Sequence, residues 1–132
     1  MARPRASILV ADGDRGVAAS LGRVLEAEGL SAGLALDGRE ASALARGGRF
    51  DLLLLNVTLP AKDALSVVRE LRADGFTVPV VMLAAEDDLG QKVTALRSGA
   101  DDYLARPFHL AELVARIHAR VREVRRAHAR NR

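Results

Sequence analysis

The chain has 132 residues, 49% hydrophobic and 28% charged, the composition of one soluble domain large enough to bury a core. It has no cysteine, which excludes disulfides, thiolate chemistry and any zinc site built on cysteine. No apolar run approaches the roughly 18 residues of a membrane span, and the opening MARPRAS lacks the apolar core of a signal peptide, so a cytoplasmic protein is expected. The net charge of +3 hides an asymmetry: residues 119–132 carry six arginines against Glu123 alone, a net +5, while the other 118 residues sum to −2. Cations at the end of a helix suit its dipole. No recognition element accompanies them, so direct DNA binding by this domain is not expected.

The elements alternate strictly along the chain. SILVAD (7–12) reads as a strand, and Val17, Leu21, Val24 and Leu25 then recur at helical spacing. AGLAL (32–36) is a second strand, and residues 40–46 form a short helix ended by Gly47-Gly48. DLLLLN (51–56) is a third strand, whose unbroken leucines suit burial on both faces. Leu65, Val68 and Leu71 mark a helix closed by Asp74-Gly75. VPVVMLAA (78–85) is the fourth strand, and Leu89, Val93 and Leu96 mark the next helix. DYLA (102–105) is a short fifth strand, and Leu110, Leu113, Val114, Ile117, Val121 and Val124 trace one face of a long last helix. Five strands interleaved with five helices predict a parallel, doubly wound α/β sheet.

In such a sheet the chemistry lies outside the carboxyl ends of the strands. That rule selects Asp12, Gly13 and Asp14, then Asn56 to Thr58, then Ala84 to Asp88, and finally Arg106-Pro107. ILVADGD, DLLLLNVTLP, VPVVMLAAEDD and GADDYLARPF stand in the order and spacing of one family. Over about residues 6–125 the chain resembles the response-regulator receiver domain, the phospho-acceptor module of two-component signalling, and within it the OmpR/PhoB type. The resemblance implies a flavodoxin-like (βα)5 fold with strand order 2-1-3-4-5, and residues 126–132 become a basic tail, the start of a linker to an output domain.

The resemblance also implies a degenerate site. The two acids that follow the first strand in the family fall at Asp12 and Gly13, the phospho-acceptor aspartate at Asn56, the switch hydroxyl at Ala84 and the lysine at Arg106. Of these only Asp12 keeps its type, and the carbonyl that helps hold the metal falls at Thr58. A neutral carboxamide is a very poor nucleophile compared with a carboxylate. Magnesium wants several hard, anionic oxygens, so neither catalysis nor a metal cofactor is expected. Arg106 is expected to pair with Asp12 across the former metal position, with the Asn56 amide nearby. Tyr103, the aromatic that rotates with the switch hydroxyl in the family, is present, although its trigger is not.

A second surface is better preserved. OmpR/PhoB-type receivers dimerise through the fourth helix, fifth strand and fifth helix, with an apolar patch that falls here at Val93 and Leu96. The ion pairs around it fall at Lys92 with Glu112, Asp102 with Arg116, and Asp101 with His118, where a lysine is usual. Exposed pairs contribute only about 0–1 kcal/mol each, so charge sets register more than affinity. The resemblance thus points to a phosphorylation-independent homodimer controlling a DNA-binding output domain. A small-molecule sensor remains the alternative, because Gly13 and Ala84 are expected to leave room for a ligand. The histidines at 109, 118 and 128 have no spacing for a metal pair, and nothing supports hydrolase chemistry.

Overall fold

The computed structural model describes residues 5–130. Its elements are β1 (Ser7–Ala11), α1 (Arg15–Ala27), β2 (Ser31–Ala35), α2 (Gly38–Arg46), β3 (Leu52–Asn56), α3 (Ala64–Ala73), β4 (Val80–Ala84), α4 (Leu89–Arg97), β5 (Asp102–Ala105) and α5 (Leu110–Arg130). The strands form one parallel sheet in the order β2-β1-β3-β4-β5, the flavodoxin-like arrangement. Ala11 lies beside Leu55, Asn56 beside Leu83, and Ala84 beside Ala105, so the strands' carboxyl ends meet along one edge.

Alternation along the buried strands divides the core in two. Leu9, Leu53, Leu55 and Met82 face one layer with Val67, Val68 and Leu71 of α3. Ile8, Leu52, Leu54 and Val81 face the other with Leu25 of α1 and Leu113 and Ile117 of α5. The four consecutive leucines of β3 are therefore each buried, two per face, which is why that strand has no polar alternation.

Aspartates start four of the helices. Asp14, Asp37, Asp63 and Asp88 cap α1 to α4, accepting from the backbone N–H of Val17, Glu40, Ser66 and Gln91 at 2.8–3.1 Å. The opposite end of the sheet is stapled by Arg72, whose guanidinium donates to the carbonyls of Gly99, Phe76 and Val78 and to Asp101.

α4 is a helix as expected, and Val93 and Leu96, assigned to an apolar surface patch, are 38% and 39% exposed, with Leu89 at 75%, while Ala95 is the residue α4 buries. Periodicity identifies an apolar stripe without saying what covers it. The basic segment expected as a tail from 126 continues α5 without a break to Arg130, while residues 131–132 lie outside the described part. Among the described residues no helix is long and apolar enough to cross a membrane.

Candidate functional site

Asp12 follows β1 and is only 6% exposed, one of two buried polar side chains among the described residues. Its Oδ1 accepts from the Asp14 N–H at 2.8 Å and its Oδ2 from the Asn56 amide at 2.9 Å. Asn56 ends β3, and its own Oδ1 accepts from the Thr58 N–H at 3.0 Å. The carboxamide is thus used at both ends. Its donor half supplies the partner a buried carboxylate needs, and its acceptor half closes the turn into residues 57–63.

The expected pairing of Asp12 with Arg106 does not occur. No ion pair or hydrogen bond joins them, and Arg106 is exposed after β5, lining grooves with Asp14 and Val17 on one side and Asp87, His109 and Glu112 on the other. Both Asp12 oxygens already have donors within the loop layer, so the carboxylate has no need of a distant cation.

Nor does Gly13 leave room. A Cβ there would lie 2.9 Å from Cδ and 3.0 Å from Cγ of Pro60, so the proline ring occupies the space a side chain at 13 would need. Pro60 is itself anchored, because its carbonyl accepts from the N–H groups of Gly38 and Lys62 at 3.0 and 2.7 Å. Between them Ala61 adopts φ +67°, left-handed backbone that a non-glycine residue enters at a cost of about 1 kcal/mol. Ala61→Gly is expected to stabilise the chain by about 0.5–1 kcal/mol, read as a higher urea midpoint with unchanged slope.

These contacts decide whether a divalent cation fits. The position offers one carboxylate, already donated to twice, and an amide whose oxygen is turned to the Thr58 N–H. Asp14 cannot stand in, since its Oδ1 caps α1. Among the described residues no group of three or more potential ligands is clustered for a metal. The donor set does not suit magnesium.

Tyr103 on β5 is buried at 6% exposure, and its hydroxyl donates to the Gln91 side chain on α4. Burial, helped by the carboxylates of Asp88 and Asp87, raises the phenol above its ordinary value, which keeps the hydroxyl a donor. Gln91 also lines a crevice of about 230 Å³ with Val57, Asp63, Leu65, Met82 and Thr94. Gln91 was not among the sequence candidates, because only the packing of α4 on β5 brings it to Tyr103.

On the α4-β5-α5 face, Lys92, Glu112 and Arg116 are exposed, His118 is half-buried, and Leu89 extends the Val93–Leu96 stripe by one helical turn. Asp102 is bonded within the protomer to Arg116 at 3.1 Å and to Arg120 at 2.8 Å. Arg116 reaches Glu112 as well, at 3.5 Å. Asp101 accepts from Arg72 and from the Val80 N–H through Oδ2, so a pair with His118 of another copy would have to share that carboxylate. Arg120 was missed, though it follows Arg116 by one turn and shares its face of the helix.

A (βα)5 sheet with Asp12, Asn56, Ala84 and Arg106 at its carboxyl edge is the frame of a receiver domain. Residues 8–118 match the response regulator receiver domain, and the chain belongs to that family, whose members are signalling modules of two-component systems. Response regulator MprA of Mycolicibacterium vanbaalenii is 47% identical over 115 residues, which are 87% of this chain and 50% of that protein. The MprA of Mycobacterium avium is 45% identical over 118 residues, 89% of this chain and 52% of that protein. The chain therefore spans about half the length of these relatives. Among solved structures, the receiver domain of Francisella response regulator 1452 superposes with a TM-score of 0.87 at 32% identity, covering 91% of this chain and 99% of that one. The BeF3-activated N-terminal receiver domain of Klebsiella pneumoniae RstA gives a TM-score of 0.83 at 27% identity, covering 88% and 98%.

Proposed function

We propose that this receiver signals without phosphorylation, by dimerising through its α4-β5-α5 face and so controlling a DNA-binding output domain. The observation that carries the reading is the Asn56 amide bonded to Asp12 at 2.9 Å, where the family places its phospho-acceptor. An amide nitrogen aimed at a buried carboxylate offers neither an anionic nucleophile nor a metal ligand. The inward Tyr103 is held by Gln91, and position 84 carries no hydroxyl to move with it. The outward stripe of Leu89, Val93 and Leu96 gives a second copy an apolar contact, which a symmetric pair buries twice.

Amide NMR with magnesium and beryllofluoride, a phosphoryl mimic, tests the first half, with the RstA receiver as positive control. The expected result is no saturable shift at Asp12, Asn56, Thr58 or Arg106, alongside a monomer–dimer equilibrium in sedimentation that depends on concentration alone. Specific shifts spreading to Tyr103 and α5 would overturn the reading. A sensor reading draws on the crevice beside Gln91 rather than on Gly13. Saturable metabolite-induced shifts at Gln91 and Thr94 would select it.

A further inference from the structure

α5 has 21 residues and spans about 31 Å at 1.5 Å per residue. Its last buried residue is Val121. The nine residues beyond it, 122–130, carry Arg122, Arg125, Arg126, Arg130 and His128 against one acid, Glu123. That acid is engaged with Arg120 at 3.2 Å.

Arg122, Arg126 and Arg130 recur every four residues and are all exposed. They form a stripe opposite the face that α5 buries through Leu113, Ile117 and Val121. None of the three has an ion-pair or hydrogen-bond partner among the described residues, whereas Arg116 and Arg120 on the same helix are paired. Their spacing is about 6 Å per step along a rigid axis.

We infer that this stripe is a docking surface for a nucleic-acid backbone, gripping phosphates without reading bases. The guanidinium fork suits phosphate oxygens, and a helix holds three forks in a row at little ordering cost. The missing recognition element, from which no direct DNA binding was expected, bears on reading a sequence and not on this mode, since phosphate contacts carry no sequence information. An anionic membrane fits less well. An interfacial helix needs a free apolar face, and Leu113, Ile117 and Val121 of α5 are already in the core. The inference takes its setting from the proposed output role, but the two are read separately: a duplex titration reports the stripe, and sedimentation reports the dimer.

The test is fluorescence anisotropy of a labelled duplex of arbitrary sequence, titrated with the 132-residue chain at 25 to 200 mM salt. Three phosphate contacts give a slope of log K against log salt near −2.7, so affinity is expected to fall a few hundredfold across that range. Each single substitution, Arg122→Gln, Arg126→Gln or Arg130→Gln, is expected to reduce the slope by about 0.9. The triple variant should abolish binding while keeping its circular dichroism spectrum and its dimerisation. Absence of binding at 25 mM salt overturns the inference, as does a triple variant that binds like the parent. So does preference for phosphatidylserine vesicles, or equal competition by polyglutamate at matched charge.

Discussion

Gly38→Ala is expected to cost about 4 kcal/mol, enough to leave much of a marginal domain unfolded at room temperature. A Cβ on Gly38 would stand 1.7 Å from the Lys62 carbonyl oxygen and 2.6 Å from its carbon, both backbone atoms that no rotamer change can move. Relief requires the start of α2 to separate from the segment that follows β3. That breaks the bond from the Gly38 N–H to the Pro60 carbonyl and unseats Pro60 from Gly13. Urea unfolding gives the magnitude. The location is read from amide shifts at Gly13, Asn56 and Thr58, which should move although residue 38 touches none of their side chains. Gly29→Ala is the contrast, a glycine whose φ of +85° strains any side chain but whose Cβ would meet nothing within 4 Å, whereas Gly38 lies outside the positive-φ region. The Gly29 variant should cost only about 1 kcal/mol and leave the site's resonances in place. Equal losses in the two variants would mean that the Lys62 contact is relieved at little cost, which overturns the prediction.

The contrast explains which features could be read before the structure. β5 was read at its observed bounds, Asp102–Ala105, because a short apolar run between acids and a proline has few alternatives. Asp14 and Asp88 start helices for a similarly local reason, a short carboxylate just ahead of a periodic segment. The site's residues were also legible, since they end strands of the parallel sheet that the alternation implies. Its contacts were legible only in part. The Asn56 amide was expected near Asp12 and bonds to it, but Arg106 does not, and Pro60 fills the space at Gly13, which sequence reading had left open. A missing side chain in a sequence looks like a vacancy, but a close-packed interior lets neighbours fill it.

The same limit explains α4. Leu89, Val93 and Leu96 have the spacing of a buried face, and the hydrophobic pattern is blind to whether the core or a second molecule will cover it. Ion pairs mislead in another way. Asp102 and Arg116 are complementary in sequence, yet complementarity does not say whether the bond forms within one copy or between two. Here Arg120 joins Arg116 on Asp102 inside the protomer, and that bond is the main reason the Arg120 guanidinium holds its proton more firmly than usual. A dimer built on this face would depend more on the apolar stripe than on charge, so its affinity should vary little with salt.

Asn56→Asp is the second large effect expected, and it runs against the idea that restoring an acid restores a site. The substitution turns a donor 2.9 Å from Asp12 Oδ2 into a carboxylate oxygen facing a carboxylate that is 6% exposed. Two unit charges at that separation repel by roughly 6 kcal/mol at an effective dielectric of about 20. Side-chain rotation and proton uptake relieve part of this, leaving an expected loss of about 2–3 kcal/mol at pH 7. Magnesium should return part of that stability. An ion between the two carboxylates replaces the missing amide proton, and at tenfold excess over its dissociation constant it contributes about 1.4 kcal/mol. The parent chain, with its amide in place, should show no such response in the same urea titration. Asn56→Ala separates the causes: it loses the donor without adding charge, should cost about 1–3 kcal/mol, and should ignore magnesium. If Asn56→Asp proves as stable as the parent in magnesium-free buffer, the amide is not what keeps Asp12 buried. If both Asp and Ala variants respond to magnesium, Asp12 binds the ion without help from residue 56. The expected pattern, a magnesium response in the Asp variant alone, means that Asn56 does within the chain what a bound cation would otherwise do for Asp12.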